Sequence, residues 1–128
     1  MKTIIKNESR SAYTLLEIML VVSIIGLLSV IAVCNFVIAR DTSRLSLIRT
    51  NLRDIDSAKD QWAFDNHKKT GDPVADVDTI KDYLRRGNVK VVIQETYSPN
   101  PVGTPPSAAL PPDVKLGPYG LGATIPAP

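Results

Sequence analysis

Cysteine occurs once in the 128 residues, as Cys34, which excludes an intrachain disulfide scaffold and any Cys-rich zinc site. Histidine also occurs once, as His67 beside Lys68 and Lys69, so no catalytic triad can be assembled around it, and a solvated role is expected there. The seven glycines are scattered and form no phosphate-binding loop. The formal charge of +2 comes without a Lys/Arg run or an aromatic-plus-basic patch, which argues against nucleic acid as a partner. Proline is absent before Pro73, and charge is absent from residues 18–39.

What is present is segregated. Residues 18–39 are apolar, residues 40–98 hold most of the charges, and residues 99–128 hold nine of the ten prolines. The length allows one small domain, with little room for a large enzyme core.

As a helix, the 22 residues 18–39 extend about 33 Å at ~1.5 Å per residue, against a hydrocarbon core of about 30 Å. This is a full membrane span. Ser23, Gly26, Ser29 and Ala32 recur every third residue, either as a face for close helix packing or as small residues that lipid simply tolerates. Lys2, Lys6 and Arg10 precede the span while Arg40, Arg44, Arg49 and Arg53 follow it, so the positive-charge count leaves orientation open. The short N-terminal tail is expected inside and the longer polar part outside.

Glu17 breaks the pattern. If the apolar helix begins at Tyr13, this carboxylate lies in the first turns inside the hydrocarbon, where a lone charge is costly and implies a partner. The alternative is that it snorkels to the interface. The segment SAYTLLEIMLVVSIIGLLSVIAV, with its basic leader, resembles the N-terminal signature of type IV prepilins and type II secretion pseudopilins. Ala12 takes the small position before the cut, usually Gly, and Tyr13 the aromatic, usually Phe; Thr14 and Leu15 match, and Glu17 becomes the fifth mature residue.

The resemblance, which covers roughly the first 28 residues, implies cleavage between Ala12 and Tyr13 by a prepilin peptidase and methylation of the new amine on Tyr13. It also implies pairing of that amine with Glu17 of a neighbouring subunit. The mature chain is then 116 residues with 12 basic and 12 acidic side chains. Two other export readings are weaker. A signal peptide cut after Ala32 would have Glu17 interrupting the approach to its apolar region, and a lipobox at Cys34 would have the bulky Val33 before it.

Beyond the span nothing forbids one helix from Tyr13 to about His67, on the order of 80 Å long. Leu45, Ile48, Leu52, Ile55 and Trp62 form an apolar stripe with Lys59 in the slot between the last two. Packing on the chain's own distal part is expected, with Trp62 buried there; a coiled coil of barely three heptads with a lysine in its seam is the poorer alternative. Gly71 is the expected C-cap and Pro73 the stop. Residues 79–86 read as a short helix with Asp78 as N-cap and Gly87 past its end, Ile80, Tyr83 and Leu84 covering the stripe, and residues 89–97 read as a strand. Residues 51–87 also resemble small prepilin-like proteins in which a helix with a terminal aromatic meets a second helix bearing Tyr-Leu; the cysteine-pinned hairpin of many of those relatives has no cysteines here. In residues 99–128, nine prolines and four glycines exclude helix and most sheet. A hairpin around residues 101–106 and pinning by Leu116, Tyr119 and Leu121 stand against disorder of the last dozen residues, the expected state.

Asp72, Asp76 and Asp78 lack EF-hand spacing, so capping and turn roles are expected rather than metal binding, and the calcium of some major pseudopilins is not carried over. The expected fold is α+β and pilin-like: leader 1–12, transmembrane helix 13–39, amphipathic continuation 40–71, short helix plus strand 72–98, and a Pro/Gly-rich loop and tail 99–128. The resemblance implies a structural subunit without catalysis or cofactor, single-pass in the bacterial inner membrane with its C-terminal region periplasmic. Its implied partners are copies of itself or related subunits, the prepilin peptidase, the inner-membrane assembly platform and the bilayer. The alternatives are a membrane-anchored periplasmic enzyme, a ligand-binding module or an adaptor that does not polymerise.

Overall fold

The computed structural model describes residues 13–128. One α-helix, α1, runs Leu15–Asp65, and its 51 residues contain no proline and a single glycine, Gly26, so its backbone ladder has nothing to interrupt it. The chain forms two units, one ending at Phe36 and the other spanning Val37–Pro128. In the first, the apolar side chains of α1 are exposed, and this helix is long and apolar enough to cross a membrane. Its hydroxyls are consumed locally: Ser23 donates to the Met19 carbonyl at 2.7 Å and Ser29 to the Ile25 carbonyl at 2.7 Å, which removes the cost of placing them in hydrocarbon.

The Val37–Pro128 unit is α+β. One side of α1 buries Ile48, Leu52, Ile55, Ala58, Lys59 and Ala63, the stripe expected from the three-and-four spacing. Against the later part of this stripe, Ile55, Ala58 and Ala63 pack on Val74, Ile80, Leu84 and Val102. Against the earlier part, Ile48 and Leu52 pack on Ala108, Leu110, Leu116 and Ile125. Each fully buried Ile or Leu contributes about 1.5–3 kcal/mol. Tyr97 touches both clusters and joins them. Trp62 is half-buried rather than enclosed, with the Lys68 ammonium 5.7 Å from its ring centroid.

The helix ends differently from the expected Gly71 cap. His67 takes a left-handed conformation (φ 52°), its N–H donates to the Phe64 carbonyl at 3.3 Å, and the Lys68 N–H donates to the Ala63 carbonyl at 2.8 Å. This is a Schellman terminus with a histidine where glycine is usual. Gly71 (φ 95°) serves the following turn, where its N–H reaches the Val102 carbonyl at 2.9 Å and the Val102 N–H returns to the Asp72 carbonyl at 3.0 Å.

The second helix is a 3-10 helix, η1, Val77–Tyr83, and its cap is Asp76, not Asp78. The Asp76 carboxylate accepts from the Thr79 N–H and hydroxyl, each at 3.0 Å. Ile80 and Leu84 are buried, as expected for cover of the stripe.

The β-branched run 89–97 is not one strand. Gln94 is left-handed (φ 64°) and the Glu95 carboxylate gathers the Val92 and Ile93 N–H groups into a turn, so only the last residues extend as β1, Thr96–Ser98. A hairpin through residues 99–106 leads to β2, Ser107–Ala109, paired antiparallel with Tyr97 opposite Ala108. Within that loop Gly103 is required: at φ 82°, an added Cβ would lie 2.6 Å from Thr70 Cγ2.

The last dozen residues, expected to be disordered, instead carry β3, Thr124–Pro126, antiparallel to β2 with Ile125 opposite Ala108 and fully buried. Pro126 is tolerated because β3 is an edge strand of the order β1-β2-β3. The Leu116–Tyr119 bridge, with backbone bonds of 3.1 and 3.0 Å, folds the intervening loop. Leu116 is buried and Tyr119 half-buried, as the pinning alternative required, but Leu121 is 66% exposed and pins nothing.

The left-handed His67 gives the first prediction. His67→Gly removes the Cβ penalty, partly offset by greater freedom of the unfolded chain, and is expected to stabilise the protein by ~0.5–1 kcal/mol. The check is a rise in Tm of a few degrees.

Candidate assembly site

Thr14 starts α1. Its hydroxyl accepts the Glu17 N–H at 3.2 Å and its carbonyl accepts the Ile18 N–H at 3.2 Å, making it the N-cap of a helix whose first turn carries Glu17. Thr14-Leu15-Leu16-Glu17 is the T-x-x-E order of a capping box, a local signal that the resemblance overshadowed in the sequence. Glu17 therefore has a local role as the acidic residue facing the positive end of the helix dipole. Its side chain is exposed in the chain, as are those of Thr14 and Leu15, and Tyr13 is 76% exposed immediately before the helix. Tyr13, Thr14, Leu15 and Glu17 thus stand together at one helix end. Ala12, the other half of the expected cleavage site, lies outside the described residues.

Deeper in the Val37–Pro128 unit, polar side chains hold the fold. Lys59, the apparent defect of the stripe, is fully buried. Its ammonium donates to the Pro99 carbonyl at 3.1 Å and to the Thr104 carbonyl, and pairs with Asp56 Oδ1 at 3.2 Å. Glu95 is also buried, accepting from the Val92 N–H at 3.0 Å, the Ile93 N–H at 2.7 Å and the Tyr97 hydroxyl at 2.7 Å. Asn51 on α1 donates to that hydroxyl at 2.8 Å and to the Lys90 carbonyl at 2.9 Å. Burial would raise the Glu95 carboxyl, but the hydrogen bonds from Tyr97, Ile93 and Val92 outweigh it and hold the group below its ordinary value. Burial pushes the Tyr97 phenol up, and its bond to Glu95 adds to the rise against the opposing Asn51 contact.

Among the described residues, every buried side-chain nitrogen and oxygen has a partner. Asp72 accepts from the Lys69 N–H at 2.9 Å and Asp76 caps η1, the turn and capping roles expected of that cluster. The surface grooves are open; one of about 360 Å³ between η1 and residues 87–97 is lined by Lys81, Leu84, Val89 and Glu95, and there Glu95 is already fully engaged. Sequence pattern marked Lys59 only as an interruption of the apolar stripe and did not single out Glu95 or Asn51, each of which reads alone as an ordinary surface residue.

Comparisons with protein-family models, with curated proteins and with solved structures find no match to this chain.

Lys59→Met keeps the volume of the aliphatic stem but orphans two loop carbonyls and leaves Asp56 without its partner. It is expected to cost about 2–4 kcal/mol in denaturant titration followed by Trp62 fluorescence, whereas a merely solvated lysine would give no loss.

Because the folded-state Glu95 carboxyl titrates below its ordinary value of 4.5, its stabilisation is complete above that pH. It is lost as pH falls through the lower folded value. Subtracting the Tm–pH curve of Glu95→Gln from that of the parent is expected to leave a stability term that decays only below about pH 4.5.

Proposed function

We propose that this chain is a pilin-like structural subunit. The precursor sits in the bacterial inner membrane with its N-terminus cytoplasmic and its C-terminal region periplasmic. A prepilin peptidase trims it between Ala12 and Tyr13 and methylates the new amine. It then assembles through its N-terminal helix into a type II secretion pseudopilus or a type IV pilus-like filament. It acts without catalysis of its own, and its partners are further copies or related subunits, the peptidase, the assembly platform and the bilayer.

The observation that carries this reading is the start of α1. Thr14 caps a helix whose first turn holds Glu17, followed by an uncharged run through residues 18–39 and an unbroken backbone to Asp65. A helix dipole offsets part of the cost of one carboxylate at a membrane boundary, by about 0.3–1 kcal/mol, but in low dielectric only an opposite charge offsets most of it. Cleavage at Tyr13 creates such a charge, and methylation keeps the amine protonatable. A neighbouring subunit, shifted along the helix axis, brings its Glu17 to that amine.

Glu17→Gln is therefore expected to insert into the membrane as well as the parent, because removing a carboxylate lowers the membrane cost. Mass spectrometry is expected to show both proteins starting at a methylated Tyr13. Multimers recovered by cross-linking are expected to fall sharply in the variant, since each contact then buries an amine without its counter-charge at about 3–5 kcal/mol. Equal multimer yields refute the pairing, and an intact Met1 in cells that process other prepilins refutes the subunit reading.

A further inference from the structure

The Val37–Pro128 unit gathers cations onto one flank of α1 from two distant segments. Arg40, Arg44, Leu47 and Asn51 follow one another at helical spacing and share one stripe, beside the buried stripe of Ile48 and Leu52. The Asn51 amide donates to the Lys90 carbonyl at 2.9 Å, which holds the loop 85–91 against this stripe. An open groove of about 330 Å³ results, lined by Leu47, Arg86, Lys90 and Val91. Arg85, Arg86 and Lys90 are exposed and Arg44 is half-buried, and among the described residues none of the four makes an ion pair. Asp54, one turn further along the stripe beside Arg85 and Arg86, pairs with neither, and Arg40 has only a loose, exposed contact of 3.7 Å to Asp41. Cations that lie far apart in sequence thus face outward together.

Two further observations identify the chemistry of a partner. Leu47 is 50% exposed and Val91 52%, so the cations frame an apolar floor. The patch also follows directly on the membrane-length run: Arg40 is the first charged residue after residues 18–39, and Arg44 and Leu47 lie about 6 Å and 10.5 Å beyond it along the helix axis. The polar layer of a bilayer is roughly 5–8 Å deep on each side, and long Lys and Arg side chains extend toward it. Anionic lipid attracts such cations over a Debye length, about 8 Å at physiological ionic strength. In the orientation proposed above, positive charge on this side is what the positive-inside bias disfavours, so Arg40 and Arg44 do not serve to orient the span.

We propose that this flank of α1 and the loop 85–91 dock on anionic phospholipid headgroups at the end of the span, with Arg44, Arg86 and Lys90 binding phosphate oxygens and Leu47 and Val91 against the lipid's apolar part. The inference rests on the membrane-span reading of residues 18–39 and is independent of filament assembly. It adds to that reading a lipid class and the residues that select it. Membrane helices ordinarily tilt, which lowers one flank toward the lipid, and the cations decide which flank that is. Arginine forks and a lysine ammonium match phosphate oxygens, while the groove's apolar floor matches no fully hydrated small anion. Because the attraction is between exposed charges, it is sensitive to salt.

The experiment uses the full chain with Cys34→Ser as background, reconstituted in phosphatidylcholine vesicles with and without phosphatidylglycerol. Asn88→Cys, at an exposed position of the loop, carries a fluorophore, and a trace of headgroup-spin-labelled phosphatidylcholine quenches it on approach. Quenching is expected to be stronger with phosphatidylglycerol, and this excess to fall about tenfold in Arg86→Ala with Lys90→Ala, and likewise in high salt. Lys69→Ala with Lys81→Ala removes the same charge from two other exposed positions and is expected to keep the excess. Trp62 fluorescence reports the fold of each variant. Equal quenching in the two lipids, no loss in Arg86→Ala with Lys90→Ala, or the same loss in both double variants overturns the docking. Quenching that follows the protein-to-lipid ratio instead of the phosphatidylglycerol content assigns the loop to contacts between copies and also overturns it. Protein released from the vesicles by alkaline wash overturns the span reading itself, whereas protein that stays embedded without the lipid effect overturns the docking alone.

Discussion

The Lys59 ammonium lies inside the apolar seam of α1, where a bare charge would cost several kcal/mol, and it is held there by Asp56 one turn earlier and by two carbonyls of the hairpin loop. Because those carbonyls belong to Pro99 and Thr104, satisfying the charge fixes the loop across the helix. The paired backbone bonds between Gly71, Asp72 and Val102 and the close approach of Gly103 to Thr70 then tie the segment after α1 to the same loop. From this anchor β1 and β2 diverge in register, and β2 supplies the edge to which β3 is added. The aliphatic stem of Lys59 meanwhile fills the place that an apolar residue would occupy in the stripe.

A second polar hub performs the corresponding task at the other end of the hairpin. Glu95 draws together two backbone N–H groups that a continuous strand would have used in a ladder, and Tyr97 links this turn to Asn51 on α1. Polar capacity in the body of the unit is thus spent on shape. The uncharged segment of α1, by contrast, keeps its apolar side chains exposed in the chain.

The two halves of α1 obey different solvation rules on one backbone. Residues 18–39 need no partner in the chain because lipid is their solvent in the proposed setting, and their hydroxyls return to the helix's own carbonyls. From Ile48 onward, one side of the helix is covered by the chain's own later residues, so the same secondary structure becomes the wall of a core. The proline-free run allows the transition without a break.

The long helix, its membrane-length apolar run, the buried stripe, the cover by Ile80 and Leu84 and the hairpin near residues 101–106 were legible in the chain alone, because spacing of apolar residues and absence of proline are local properties. Four features were decided only in three dimensions. Lys59 became a core residue because loop carbonyls from forty positions away surround its charge; the run 89–97 did not extend as one strand because Glu95 captured the Val92 and Ile93 N–H groups; His67 took the cap while Gly71 bonds to Val102; and Ile125 ordered a proline-rich tail because Ala108 leaves a place for it beside Ile48 and Leu52. In each case a local propensity was outweighed by a hydrogen bond or a buried contact between residues far apart in sequence, and no periodicity in the chain records such a pairing.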